Sequence, residues 1–199
     1  MNKIRYIIFD VGGVLLKEKI DKAHDALNQE LGKKVFDRND MLHKKALLGK
    51  ISERHFFRLL AKKSGFPATH LRPLSSEKYL KIMKTNKDTI KIAKSLRNKG
   101  YKLCILSNVT PQHKKPDHVM KLYTYFDHRV LSCDVGAIKP HSKIFKIALK
   151  KLNAKPEECI YIEDRKEFLT TPKKLGINVI HFISAKQLQA ELKKFGVKI

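Results

Sequence analysis

From Asn86 to the C terminus, short β-branched apolar runs alternate with segments of helical periodicity, and this rhythm narrows the folds open to the chain. Strands are expected at Tyr101–Leu106, Arg129–Leu131, Cys159–Ile162 and Asn178–Phe182. Helices are expected between and after them, at about Lys87–Asn98, Lys114–Tyr125, Lys143–Leu152, Lys166–Leu175 and Ala185–Lys194. The connections are short enough for right-handed crossovers, so the pattern predicts an α/β fold: a Rossmann-like parallel sheet with helices on both faces. A further strand, Ile4–Phe9, belongs to that sheet by its apolar character. Between it and Asn86 the sequence reads as helical, with segments at Lys19–Leu31, Lys34–Leu48 and Glu53–Ser64, and a short helix from Ser75 or Ser76 to about Met83. The expected organisation is therefore a core of residues 1–16 and 86–199, with 17–85 inserted as a helical cap over the strand ends.

The first strand ends at Asp10, which Val11-Gly12-Gly13-Val14 follows at once. Ligands of open α/β sheets bind at the carboxyl ends of the strands. A carboxylate fixed there can serve as nucleophile, metal ligand or both. Three later strand ends offer partners of different chemistry: Ser107 after Leu106, Lys139 in Gly136-Ala137-Ile138-Lys139-Pro140, and Asp164 after Glu163. Phosphoryl transfer through an aspartyl-phosphate requires this set. One carboxylate attacks phosphorus, a second helps hold Mg²⁺, and a hydroxyl and an ammonium neutralise and orient the phosphoryl oxygens.

With these four segments in this order, the sequence resembles the haloacid dehalogenase-like hydrolases, in the branch whose helical cap follows strand one. The resemblance implies Asp10 as nucleophile and Mg²⁺ ligand, with the backbone carbonyl of Gly12 and the carboxylate of Asp164 completing the metal site. It implies Ser107 and the backbone N–H of Asn108 as phosphate-binding groups. It assigns Lys139 both a catalytic and a phosphate-binding role. The activity implied is Mg²⁺-dependent hydrolysis of a small phosphorylated metabolite, sugar phosphates among the candidates.

Two departures stand out. Family phosphatases usually carry an Asp two residues after the nucleophile, where this chain has Gly12. Glycine keeps the carbonyl but loses a general acid–base group typically worth about 10²–10⁴-fold. His43, His55 and Glu18 are the cap residues considered as substitutes. The fourth motif reads Glu163-Asp164-Arg165-Lys166-Glu167-Phe168, against a common Asp-Asp-Arg-x-Glu-Asn. The alternatives are a non-catalytic phosphate-binding protein and a metal-free 2-haloacid dehalogenase. Against the dehalogenase, the chain has neither an aromatic residue at position 12 nor a Ser/Asn-rich fourth motif.

Composition adds bounds rather than identity. The formal net charge is +24, carried by 35 Lys and 8 Arg. The dibasic pairs are scattered and form no block of five or six like charges. Specific base readout favours arginine forks, so nucleic-acid binding is expected to be non-specific at most. The three cysteines, Cys104, Cys133 and Cys159, show neither a disulfide framework nor metal-site spacing. No apolar run suits a membrane span or a signal peptide, and a cytoplasmic setting is expected.

Overall fold

The computed structural model describes residues 3–18, 20–37 and 39–199. Five parallel strands form one sheet: β1 (Tyr6–Phe9), β2 (Lys102–Ser107), β3 (His128–Leu131), β4 (Cys159–Glu163) and β5 (Asn178–His181). Their order is β3-β2-β1-β4-β5. β1 lies at the centre, with Phe9 opposite Ile105 on one side and Ile162 on the other. The chain builds outward from β1 through β2 to β3, then returns to add β4 and β5 on the far side. The β1/β4 boundary is therefore the topological switch point, where a crevice opens at the strand ends.

Side-chain alternation along the strands feeds two cores. Ile7, Phe9, Leu103, Ile105, Ile160 and Ile162 pack on one face with residues of α5 (Lys87–Asn98), α6 (Asp117–Tyr123) and α10 (Ala185–Lys194). Tyr6, Ile8, Cys104, Leu106, Cys159 and Tyr161 pack on the other, against Ile144, Phe145, Ala148 and Leu152 of α8 (Ser142–Leu152). Both faces are apolar because both are covered, as parallel sheets require. Two short helices complete this part, α7 (Ser132–Val135) and α9 (Thr170–Lys174). Cys104 and Cys159 are buried within the second core.

Between β1 and α5 lie four helices: α1 (Ile20–Glu30), α2 (Met41–Leu47), α3 (Glu53–Ser64) and α4 (Ala68–Ile82). They have a cluster of their own, including Leu27, Phe36, Phe56, Phe57, Leu60 and Leu71. The two chain segments joining them to the sheet meet. Leu16 and Thr85 form an antiparallel bridge, Lys17 N–H donates to Lys84 O at 2.8 Å, and Asn86 N–H donates to Leu15 O at 2.8 Å.

Several expected elements differ. Within the expected helix Lys34–Leu48, Arg38 lies outside the described residues and helix begins at Met41; the Asn28 Oδ1 accepts from both Val35 and Phe36 N–H and so competes with helix in that segment. Its N-cap is Asp40, whose carboxylate accepts from Leu42 N–H. The short helix from Ser75 or Ser76 is instead part of a longer one starting at Ala68, with Ser75 buried inside it. Pro73 lies inside this helix, where it offers no N–H to the Thr69 carbonyl four residues back. The helix at Lys114–Tyr125 starts only at Asp117, after Pro116, and Lys166–Leu175 is a 3₁₀ turn (Lys166–Phe168) followed by α9. Lys19, the expected first residue of the first cap helix, lies outside the described residues.

Candidate active site

β1, β2 and β4 end side by side, and their last residues and following turns converge on one crevice. Asp10 follows β1 and is buried. Its Oδ1 lies 2.8 Å from the Lys139 Nζ, which is also buried and lies 2.6 Å from the Glu163 Oε2. An ammonium is thus held between two carboxylates out of contact with solvent. Burial alone would lower the Lys139 pKa. Asp10 and Glu163, by charge and by hydrogen bond, outweigh that effect and raise it. Burial, with the Glu163 charge added, pushes Asp10 up to about 6, with Lys139 acting against the rise.

Glu163 is fully buried and fully engaged. Its Oε2 accepts from Lys139 and from the Tyr161 hydroxyl, and its Oε1 accepts from Arg165 N–H at 3.1 Å. Sequence reasoning gives neither Glu163 nor Tyr161 a role in the site. In the folded chain they anchor the lysine. Alternation along β4 carried a usable signal: Tyr161 and Glu163 lie two apart and so share a face of the sheet.

Lys139 is also fixed through its backbone. Asn108 Oδ1 accepts from Lys139 N–H at 2.8 Å, and Asn108 Nδ2 donates to Lys139 O at 3.1 Å. Sequence reasoning assigned Asn108 a backbone role. Its side chain clasps the lysine loop. The next residue is pinned in the same way, with Ser132 Oγ accepting from Val109 N–H at 3.0 Å and donating to Val109 O at 3.1 Å. Ser107 is the buried last residue of β2.

Asp164 lies just beyond β4, and its carboxylate rests on the turn after Asp10. A Cβ at Gly13 would come within 2.3 Å of Asp164 Oδ2, and Gly13 has φ +77°. Both constraints demand glycine. Gly12 differs: a Cβ there would meet nothing nearer than Glu18 O at 4.0 Å. Ligand atoms of Asp10, Glu163 and Asp164 lie within 4.8 Å of one another. The donors are all oxygen, which suits a hard cation such as Mg²⁺. Three carboxylates against the one ammonium of Lys139 leave two negative charges over, the charge such an ion supplies. The residues present therefore fit the ion.

Asp10, Gly12, Ser107, Asn108 and Lys139 all line one cavity of about 450 Å³. Of the three proposed acid–base substitutes, His43 lines it, whereas His55 and Glu18 do not. His43 also belongs to a buried histidine group. Its ring meets His24 edge-on at 5.2 Å, and His24 lies 6.4 Å from His113, which stacks on Tyr79 at 4.4 Å. Burial drives His43 down to about 3 and His113 well below the usual histidine range, so both are neutral at pH 7.

The family model for haloacid dehalogenase-like hydrolase matches residues 4–167. The chain belongs to this family. Among curated relatives, Bifunctional epoxide hydrolase 2 of Rattus norvegicus is 29% identical over 55% of this chain and 21% of its own length. Glyceraldehyde 3-phosphate phosphatase of Pyrococcus furiosus is 34% identical over 49% of this chain and 41% of its own. The haloacid dehalogenase-like chain thus spans only about a fifth to two fifths of these relatives' length. A predicted HAD-like family hydrolase from Porphyromonas gingivalis shares the fold with a TM-score of 0.80 at 23% identity, each chain covered over 100%. A HAD family enzyme from Bacteroides thetaiotaomicron, solved with magnesium and inorganic phosphate, gives 0.71 at 20% identity, covering 89% of this chain and 93% of that one. Among the described residues, no helix is long and apolar enough to cross a membrane.

Proposed function

We propose that this haloacid dehalogenase-like hydrolase is a Mg²⁺-dependent phosphatase of small phosphate monoesters, working through an aspartyl-phosphate on Asp10. The observation that carries this reading is the buried Asp10–Lys139–Glu163 row at the strand ends. Lys139 contacts the Asp10 carboxylate and would neutralise an incoming phosphoryl group, and Glu163 would keep it there when the substrate competes for its charge. Asp10 would attack phosphorus in line with the leaving oxygen, with Ser107 and the Asn108 N–H holding phosphoryl oxygens. Mg²⁺, held by Asp10, Asp164 and the Gly12 carbonyl, would offset charge on nucleophile and phosphate. Water then attacks the phosphorus of the aspartyl-phosphate, freeing the carboxylate and inorganic phosphate.

In this reading residues 1–16 and 86–199 form the catalytic core and 17–85 a cap that excludes water from the crevice. Support for phosphatase chemistry comes from the Pyrococcus furiosus relative, and for the ion from the neighbour solved with magnesium and phosphate. The test is hydrolysis of p-nitrophenyl phosphate, whose leaving group needs little protonation. Turnover that is lost with chelator, and lost in Asp10→Asn, is the expected result. Phosphate binding with no turnover above the Asp10→Asn background would favour the second reading, a phosphate-binding protein, which Gly12, Phe168 and the basic surface support.

A further inference from the structure

Two features of the cavity, independent of each other, point to the same leaving group. The first is its lining. Away from Asp10 and Lys139, its charged side chains are Lys44 and Glu167, both exposed at the rim, and Arg165, paired with Asp21. The interior wall is apolar: Leu16, Leu47, Met83 and Ile138 line it. The rest is flat. Tyr79 and His113 are stacked with ring planes 8° apart, and the Phe168 ring lies 5.1 Å from the Lys139 Nζ. His113 has its Nδ1 within 3.0 Å of Thr110 Oγ1, and His43 is neutral, so the imidazoles bring no charge to the cavity. A polyhydroxylated group buried there would find partners at few points of the wall, and each hydroxyl left without one is costly. A planar apolar group would stack on the aromatic wall.

The second feature is Gly12. Without a carboxyl group at this position, nothing is placed to protonate the departing oxygen at the usual point. An alkoxide, close to water in basicity, would leave poorly. A phenol, which ionises near pH 10 as tyrosine does, leaves without help.

We infer that the site takes aryl phosphate monoesters: a planar apolar aryl group against Tyr79, His113 and Phe168, with its phosphate on Asp10 and Lys139. The inference rests on the phosphatase reading and narrows it away from sugar phosphates. In the chemical step a bond forms between an Asp10 carboxylate oxygen and phosphorus. The bond from phosphorus to the aryl oxygen breaks, and its electron pair leaves with the aryloxide, which takes a proton from solvent. Water, giving a proton to solvent, then splits the aspartyl-phosphate.

The test compares kcat/KM for four substrates on the full chain with Mg²⁺: 1-naphthyl, phenyl and benzyl phosphates, and glycerol 3-phosphate. Benzyl phosphate is apolar but leaves as an alkoxide, so it separates the two features. The expected order is naphthyl above phenyl, phenyl above benzyl, and benzyl above glycerol phosphate, with the extremes at least about 100-fold apart. In Leu47→Asn the ratio of naphthyl to glycerol phosphate turnover should fall about threefold or more. A ratio on one preparation is insensitive to the fraction that folds. Glycerol phosphate turned over as well as naphthyl phosphate would overturn the inference.

If p-nitrophenyl phosphate is not hydrolysed either, the phosphatase reading has failed, and calorimetry on Asp10→Asn decides the substrate class on its own. Binding of 1-naphthyl phosphate at least about tenfold tighter than glycerol 3-phosphate upholds the inference for a binding site. Equal affinities overturn it.

Discussion

At the scale of single residues, the site turns on two neighbouring glycines with opposite constraints. Gly13 has no freedom, since its φ is +77° and Asp164 occupies the space of a Cβ. Gly12 has room, with its nearest neighbour 4.0 Å from an added Cβ. Gly12→Asp should therefore fold normally and supply the missing acid. The expected gain in kcat/KM is about 10-fold or more on benzyl phosphate, and small on p-nitrophenyl phosphate, whose leaving group needs no proton. Equal gains on both substrates would show that position 12 acts through something other than proton transfer.

Asp10, Ser107 and Asp164 were legible as site candidates because each lies at or just after an apolar run whose end fixes its place in the crevice, whereas Lys139, beyond α7 in the loop before α8, was legible only through its motif. Glu163 and Tyr161 were harder to read. A buried carboxylate satisfied by a lysine from one loop and a hydroxyl from its own strand is a product of the packed structure. Breaking such a buried pair on one side costs about 3–5 kcal/mol. Glu163 therefore matters even where it never touches a substrate. Phe168 stands where the common motif has Asn, and its ring lines the cavity beside Lys139.

At the scale of elements, the neck between the helical segment and the sheet concentrates several bonds on one residue. Asn86 caps α5 through Oδ1 to Thr89 N–H at 3.4 Å, and its Nδ2 donates to Val14 O at 3.1 Å, across the neck. Asn86→Ala removes both while sparing the backbone bond to Leu15. The expected loss is about 1–2 kcal/mol of stability, read as a lower denaturation midpoint. A midpoint unchanged within error would contradict the neck's role.

The cap of α5 was legible because Asn before a helical run is a strong signal. So was α3, where Ser52 accepts from His55 N–H and Gly65 ends the helix at φ 78°. The errors lay where local sequence is overruled at a distance. Asn28, seven and eight residues away, captures the N–H groups of Val35 and Phe36 and removes them from any helix. In α4 the helix runs through Pro73 from Ala68, so the serines expected to open it lie inside it.

At the scale of the whole molecule, the alternation from Asn86 onward determined the parallel sheet, because crossovers of that length admit few other arrangements. What periodicity could not show is the chemistry of the interior between the helical segment and the sheet. His24, His43 and His113 come from α1, α2 and the loop after β2, and gather there in the folded chain. Burial lowers the pKa of all three, and the charges of Asp21, Asp25 and Asp37 only partly offset this at His24.

Below pH 6.5 the unfolded chain takes up these protons and the folded chain resists, so stability is lost as pH falls from 6.5 toward 3. Each such histidine contributes a slope of up to about 1.4 kcal/mol per pH unit. Asp10 works the other way: raised from 3.8 to about 6, it favours the folded state increasingly as pH falls through that window, and offsets part of the loss. Denaturant titrations between pH 7 and 5 should show stability falling, and His43→Gln should flatten the slope by about 1 kcal/mol per unit. An unaltered slope would mean that His43 is not held neutral.

The central claim is that Asp10 becomes phosphorylated. Rapid acid quench during turnover of 1-naphthyl phosphate, followed by borohydride reduction and peptide mass mapping, tests it directly. An acyl phosphate at Asp10 would be reduced to homoserine at that position, and this is the expected result. Sustained turnover with Asp10 unmodified, or with the label on another residue, would contradict the account.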